Sequence, residues 1–220
     1  MKKFKNIFDD SYAKLKTWHL SRQIFCKGAT IMKYGIFGCT ADPFTLAHKA
    51  IVEKVLSENL VDKVIILPTI VTYYRPGKQP WLLDSEKLYC IHRMLMNSEF
   101  KDRIIVSAYE LNLKGILSEA DLKTRRSLHM VESMKFEYGH NNEFYFILGT
   151  DSLENFKTWY CWKQLLKEVK LIAVQGRDDK YIETDIPYTE IKIDKKYSNI
   201  SASKIREKYS MLDDYLKSVE

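Results

Sequence analysis

A short apolar run, Tyr34–Gly38, leads into a polar turn and then a histidine: Gly38-Cys39-Thr40-Ala41-Asp42-Pro43-Phe44-Thr45-Leu46-Ala47-His48. A helix starting near Thr45 would direct unpaired backbone N–H groups outward, a natural seat for an anion. The Thr45 hydroxyl and the His48 imidazole, three residues apart, share one helical face and can both address a phosphate. An ordinary N-cap with His48 packed beside it has the same spacing. A second segment, Ile147-Leu148-Gly149-Thr150-Asp151-Ser152-Leu153, is followed by Trp159 and Trp162. There Gly149 allows close backbone approach, Asp151 offers an acceptor to a hydroxyl or a base edge, and a tryptophan can stack on a flat ligand. Two tryptophans three apart equally suit a helix core. The third segment, Ile200-Ser201-Ala202-Ser203-Lys204-Ile205-Arg206, places serines at a helix start with Arg206 one turn on, again suited to an anion. A capped helix with a solvated arginine would look alike.

The elements that must position these segments alternate between strand and helix. Strands are expected at Tyr34–Gly38, Val64–Leu67, Ile104–Val106, Phe144–Leu148 and Leu171–Val174, with a last short one marked by Ile191 and Ile193. Helices are expected at Ala47–Glu58, Asp84–Asn97, Leu122–Lys135 and Trp162–Glu168, and again from Ser201. That rhythm predicts an α/β fold, a Rossmann-like open parallel sheet with helices on both faces. In such a sheet ligands bind beyond the carboxyl ends of the strands, near the point where strand order reverses. All three segments follow strands. Thr69–Pro80, with Pro76, Gly77 and Pro80, reads as a mobile loop over one end of the sheet. The turn after the first strand is neither GxGxxG nor GxxxxGK[ST], which disfavours a hydride-transfer enzyme and a Walker-type ATPase.

Composition narrows the partners. The formal charge is +6, but residues 1–31 hold seven Lys or Arg against two Asp and carry +5 of it. The nearly neutral remainder argues against a nucleic-acid surface. Residues 1–31, with Phe4, Ile7, Phe8, Tyr12 and Leu15 at helical spacing, read as a basic amphipathic extension. Residues 32–220 read as the main domain. No apolar run approaches the ~20 residues that span a bilayer. Cys26, Cys39, Cys90 and Cys161 are scattered, with no CxxC pair, which fits reduced thiols and a cytoplasmic protein.

Over residues 33–208 the three segments, in this order and spacing, resemble the HxGH-type nucleotidyltransferases, and specifically the nicotinate/nicotinamide mononucleotide adenylyltransferases. Gly38–His48, Gly149-Thr150-Asp151 with Trp159, and Ile200–Arg206 carry the resemblance. The GxD…W segment singles out the pyridine-nucleotide branch. Ala41, Ala47 and Ala202 depart from the bulky residue, glycine and serine usual there, and Thr45 stands for the first histidine.

The resemblance implies transfer of an adenylyl group from ATP to the 5′-phosphate of a pyridine mononucleotide, in NAD biosynthesis. His48, Thr45 and Arg206 would be catalytic, on the phosphates. Gly38, Cys39, Thr40, Gly149, Asp151, Ser201 and Ser203 would hold ATP, and Mg²⁺ would arrive with its phosphates. Trp159 would stack on the pyridine ring with Tyr109 as a second stacking face, Thr124 would contact the base, and Arg75 and Lys78 would reach the acceptor phosphate. A solvated role for the two loop cations fits the sequence as well. No nucleic-acid partner and no membrane span are expected, and a homo-oligomer is compatible. Two other assignments remain open at the level of sequence. One is a pantetheine-phosphate adenylyltransferase or cytidylyltransferase, and the other is a catalytically weak nucleotide-binding regulator.

Overall fold

The computed structural model describes residues 30–69, 79–113, 116–118, 121, 126–175 and 183–219. The basic extension and the sites expected at Arg75, Lys78 and Thr124 lie outside the described residues, as does most of the 69–80 loop.

Six parallel strands form one sheet: β1 (Lys33–Cys39), β2 (Lys63–Pro68), β3 (Ile104–Val106), β4 (Glu143–Gly149), β5 (Lys170–Val174) and β6 (Tyr188–Ile191). Their spatial order is β3-β2-β1-β4-β5-β6. The chain builds outward from β1 in one direction, then crosses back to β4 and builds outward in the other. Between the carboxyl ends of β1 and β4 the connections leave in opposite directions, so a crevice opens there.

Neighbouring residues of the central strands point to opposite faces, and both faces are apolar because helices cover both. Phe37, Val64, Ile66, Ile147, Ile172 and Val174 face one layer of the core. That layer is closed by α1 (Leu46–Ser57), α2 (Asp84–Leu95), α8 (Ala202–Lys208) and α9 (Leu212–Lys217). Ile36, Ile65, Leu67, Phe146, Leu148, Leu171 and Ala173 face the other layer, closed by α4 (Ser127–Tyr138), α5 (Thr150–Glu154) and α6 (Trp162–Glu168). Two further short α-helices are α3 (Tyr109–Asn112) and α7 (Lys195–Ser198), and 3-10 turns span Lys101–Arg103 and Phe156–Thr158.

Some boundaries differ from the sequence expectation. The helix expected from Leu122 starts, within the described residues, at Ser127. Arg126 is extended (φ −141°, ψ 169°) and its N–H donates to His129 Nδ1, which ends the helix there. The expected helix over Asp84–Asn97 stops at Leu95. Ile193 is not in the last strand, which pairs only as far as Ile191 opposite Val174. The chain then turns, and Asp194 caps α7 by accepting from the Lys196 N–H.

Candidate active site

The crevice between β1 and β4 is a cavity of about 590 Å³. Phe37, Gly38, Cys39 and Thr40 form one wall, and Phe146 to Gly149 form another. His48 looks in from α1, Arg126, Ser127 and Met130 from α4, and Trp159 and Tyr160 from the segment before α6. Both glycines at the strand ends are closely approached by side chains, which would have to shift to admit a β-carbon. A Cβ on Gly38 would sit 2.9 Å from Met130 Cε, and one on Gly149 would sit 2.5 Å from Asp151 Oδ1.

His48 is held by its own helix start. The Thr45 N–H donates to His48 Nδ1 at 3.0 Å, and the His48 N–H donates to Thr45 Oγ1 at 3.3 Å. This reciprocal capping box satisfies two orphan donors of α1 and fixes the ring. Because a backbone N–H occupies Nδ1, the proton of the neutral ring belongs on Nε2. The ring packs between Phe37 and Phe44, with centroids at 5.9 and 5.2 Å. Burial there pushes its pKa down to about 4, so the free site carries a neutral imidazole. A polyphosphate nearby would favour the imidazolium and oppose that shift. Thr45 itself is only 1 % exposed. Its hydroxyl, 3.1 Å from His48 Nδ1, is turned to His48 and not to the cavity. The helix cap and the placement of His48 at the cavity wall are thus one arrangement, with Thr45 lying behind His48 and not beside it.

The turn before α1 is anchored from three distant parts of the chain. Ala41 adopts φ +47°, a left-handed conformation that costs a β-carbon-bearing residue about 1–2 kcal/mol. The Asp42 carboxylate, 1 % exposed, accepts the N–H groups of Trp81 (3.1 and 3.2 Å) and Leu82 (2.8 Å). Arg206 on α8 donates through Nη1 to the Asp42 carbonyl and through Nη2 to Ser203 Oγ at 3.1 Å. The Phe44 carbonyl, one residue before the cap, accepts from Tyr215 Oη on α9 at 3.2 Å. Arg206 therefore ties the third sequence segment to the first.

The structure gathers only part of the predicted set around the cavity. Gly38, Cys39, Thr40, His48, Gly149 and Trp159 line it. Burial pushes the Cys39 thiol up to about 12, so it is protonated and serves through its backbone and packing. Trp159 meets Phe146 edge-on at 6.0 Å and tilts against Phe156 at 5.1 Å, which sets its ring plane at the cavity wall. Asp151, exposed on α5, does not line the cavity. Ser201 lies at a separate depression of about 270 Å³ with Lys204 and Tyr209. Ser201 caps α8 by accepting from the Lys204 N–H at 3.2 Å. Tyr109 sits on α3 against the core and is not part of the cavity wall.

Sequence reasoning missed Arg126, Ser127 and Tyr160, which complete the wall opposite His48. Tyr160 is 55 % exposed and its ring lies 5.7 Å from that of His129. The signal available is the Arg125-Arg126-Ser127 run, which an expected helix from Leu122 hides inside its first turns. Asp42 was also passed over, though an acid before proline at a strand-end turn is a familiar anchor. Among the described residues no group of three or more His, Cys, Asp or Glu side chains could hold a metal ion. Among them too, no helix is long and apolar enough to cross a membrane.

A cytidylyltransferase-like family model matches residues 36–208. A probable nicotinate-nucleotide adenylyltransferase of Fusobacterium nucleatum is 30 % identical over 190 residues, 83 % of this chain and 90 % of that protein. Another from Aliarcobacter butzleri is 34 % identical over 141 residues, 64 % of this chain and 70 % of that one. Among solved structures, Plasmodium falciparum nicotinic acid mononucleotide adenylyltransferase complexed with NaAD superposes with a TM-score of 0.63 at 21 % identity, covering 84 % of this chain and 89 % of that one.

Proposed function

We propose that this chain, which belongs to the cytidylyltransferase-like family and within it to the nicotinate-nucleotide adenylyltransferases, transfers the adenylyl group of ATP to the 5′-phosphate of nicotinate mononucleotide. The products are the dinucleotide and pyrophosphate, a step of NAD biosynthesis. A phosphate oxygen of the acceptor attacks the α-phosphorus. The new P–O bond forms as the bond from that phosphorus to the bridging oxygen breaks, and the electron pair leaves with pyrophosphate. No side-chain nucleophile is required. The protein's work is to hold two polyanions in line and to meet the charge that gathers on the leaving group.

One observation carries the assignment of roles: a histidine whose Nδ1 is filled by the Thr45 N–H and whose ring lines a cavity at the sheet's switch point. Its Nε2–H is a preorganised donor for a phosphate oxygen, and Thr45 is its positioning partner. The backbone at Gly38 to Thr40 supplies the approach to the α-phosphate, and the N-terminus of α1 adds its dipole. Arg206 and Ser203, already hydrogen-bonded to each other, serve the β/γ end, with Ser201 capping their helix. Gly149, in the cavity wall, takes the ribose and adenine side, and Asp151, exposed outside that wall, would reach the nucleotide only at the cavity's rim. Trp159 offers its face to the pyridine ring. Mg²⁺ would arrive as part of the substrate, neutralising the ATP phosphates. Residues 32–220 constitute the transferase domain.

The test is pyrophosphate release from ATP with nicotinate mononucleotide, nicotinamide mononucleotide or pantetheine phosphate, and from CTP with the same acceptors. Turnover is expected with ATP and nicotinate mononucleotide above all others. Release with pantetheine phosphate or CTP alone would move the chain to another branch, and release with none would leave a nucleotide-binding regulator.

A further inference from the structure

Tyr215 lies 171 residues from the turn it touches, and none of the three segments that carry the resemblance includes it. It is 2 % exposed on α9, a helix that packs on the same layer of the core as α1. Its hydroxyl donates to the Phe44 carbonyl at 3.2 Å, and Met94 Sδ lies 3.8 Å away. Cys90 Sγ approaches the same carbonyl at 3.6 Å.

The Phe44 carbonyl and the Thr45 N–H belong to one planar peptide unit. That N–H is the group that donates to His48 Nδ1 at 3.0 Å. A donor on the carbonyl side of a peptide orients its plane and polarises its N–H, so the two hydrogen bonds reinforce each other. Resting on the adenylyl transfer proposed above, we infer that Tyr215 is a positioning residue for His48: through the Phe44–Thr45 peptide its hydroxyl holds the imidazole in the Nε2–H tautomer that the phosphates require. Burial raises the pKa of the phenol further, so the hydroxyl stays a donor wherever the protein is folded. The chain thereby links its C-terminal helix to the reacting end of the first segment.

The experiment has two arms. Nitrogen-15 spectra of the imidazoles in the free protein, with His48→Ala assigning the resonance, report the tautomer without any turnover. A protonated Nε2 with an acceptor Nδ1 is expected in the unaltered chain, and a protonated Nδ1 would overturn the inference. In Tyr215→Phe the His48 signals should move toward a mixture of tautomers while the thermal transition stays cooperative, and unchanged signals would overturn it too. The second arm is a kinetic cycle. Tyr215→Phe should lower kcat roughly three- to tenfold, the weight of one neutral hydrogen bond, with little change in the ATP KM. In a His48→Ala background the same substitution should change kcat by less than twofold. Additive losses would mean that Tyr215 acts on folding or elsewhere and not through His48. If no acceptor supports turnover, the proposed activity fails while the spectra still decide the tautomer.

Discussion

Replacing His48 by alanine isolates the contribution of a single donor, because the rest of its environment is built to survive the loss. The ring gives up one hydrogen bond from the Thr45 N–H and packing against Phe37 and Phe44. The cap itself persists, since Thr45 Oγ1 still accepts the backbone N–H of residue 48. The exposed Thr45 N–H can be reached by water entering the vacated part of the cavity, so stability should fall by only about 1–2 kcal/mol. A domain with about 5–15 kcal/mol of stability stays folded. Catalysis loses more. A preorganised donor aimed at developing charge is worth about 2.7–4 kcal/mol, or ~10²–10³ in kcat. Steady-state pyrophosphate release at saturating ATP and nicotinate mononucleotide, with ATP binding followed by calorimetry, separates the two effects. His48→Ala should bind ATP within severalfold of the parent and turn over at least a hundredfold more slowly. His48→Gln, which can return an amide N–H near the former Nε2, should recover part of the rate. Turnover of His48→Ala within about fivefold of the parent would refute the role given to Nε2.

Other outcomes follow from the same geometry. Trp159→Ala should raise the KM for the mononucleotide more than that for ATP, and equal effects on both would make the ring a core residue only. Asp42→Ala leaves the buried N–H groups of Trp81 and Leu82 without their acceptor, so it should cost about 2–4 kcal/mol and lower Tm by roughly 5–15 °C in a scanning calorimeter. Because the folded-state pKa of His48 is depressed from 6.5 to about 4, the unfolded chain binds the extra proton first. Stability from this group is therefore complete above about pH 6.5 and is lost as pH falls toward 4. The acid limb of a denaturant-midpoint profile should be shallower in His48→Ala, and an unchanged limb would show that His48 titrates normally.

Most of the sheet was legible because five of its strands are runs of β-branched and aromatic residues closed by a glycine, a proline or a polar turn. Val64–Leu67 is buried on both faces, so its apolar run could be read without any alternation. What escaped was set by tertiary partners. Nothing local ends the last strand at Ile191, since Ile193 has the same propensity. It ends because β5 runs out opposite it at Val174. The start of α4 differs from the expectation for a local reason instead: the Arg126 N–H donates to a histidine three residues ahead, a side-chain cap that periodicity cannot report.

The candidate site shows the same division more sharply. Residue types and spacing were enough to mark His48, Gly149 and Trp159 as candidates, and all three line the crevice. Spacing could not decide whether Thr45 and Arg206 face the ligand or face the protein. The structure places both inward first. Thr45 is buried behind the imidazole, and Arg206 spends donors on the Asp42 carbonyl and on Ser203. Both thereby help to hold a strained turn, with Ala41 at positive φ, in a shape that places His48 at the cavity wall. A turn of this kind is costly by itself and persists only when over-determined from outside. Here the outside consists of Trp81, Arg206 and Tyr215, which are 39, 164 and 171 residues from the atoms they hold. The candidate site's residue types are thus legible in short segments, while the turn that carries them is held in part by Trp81 and Tyr215, which lie in none of those segments.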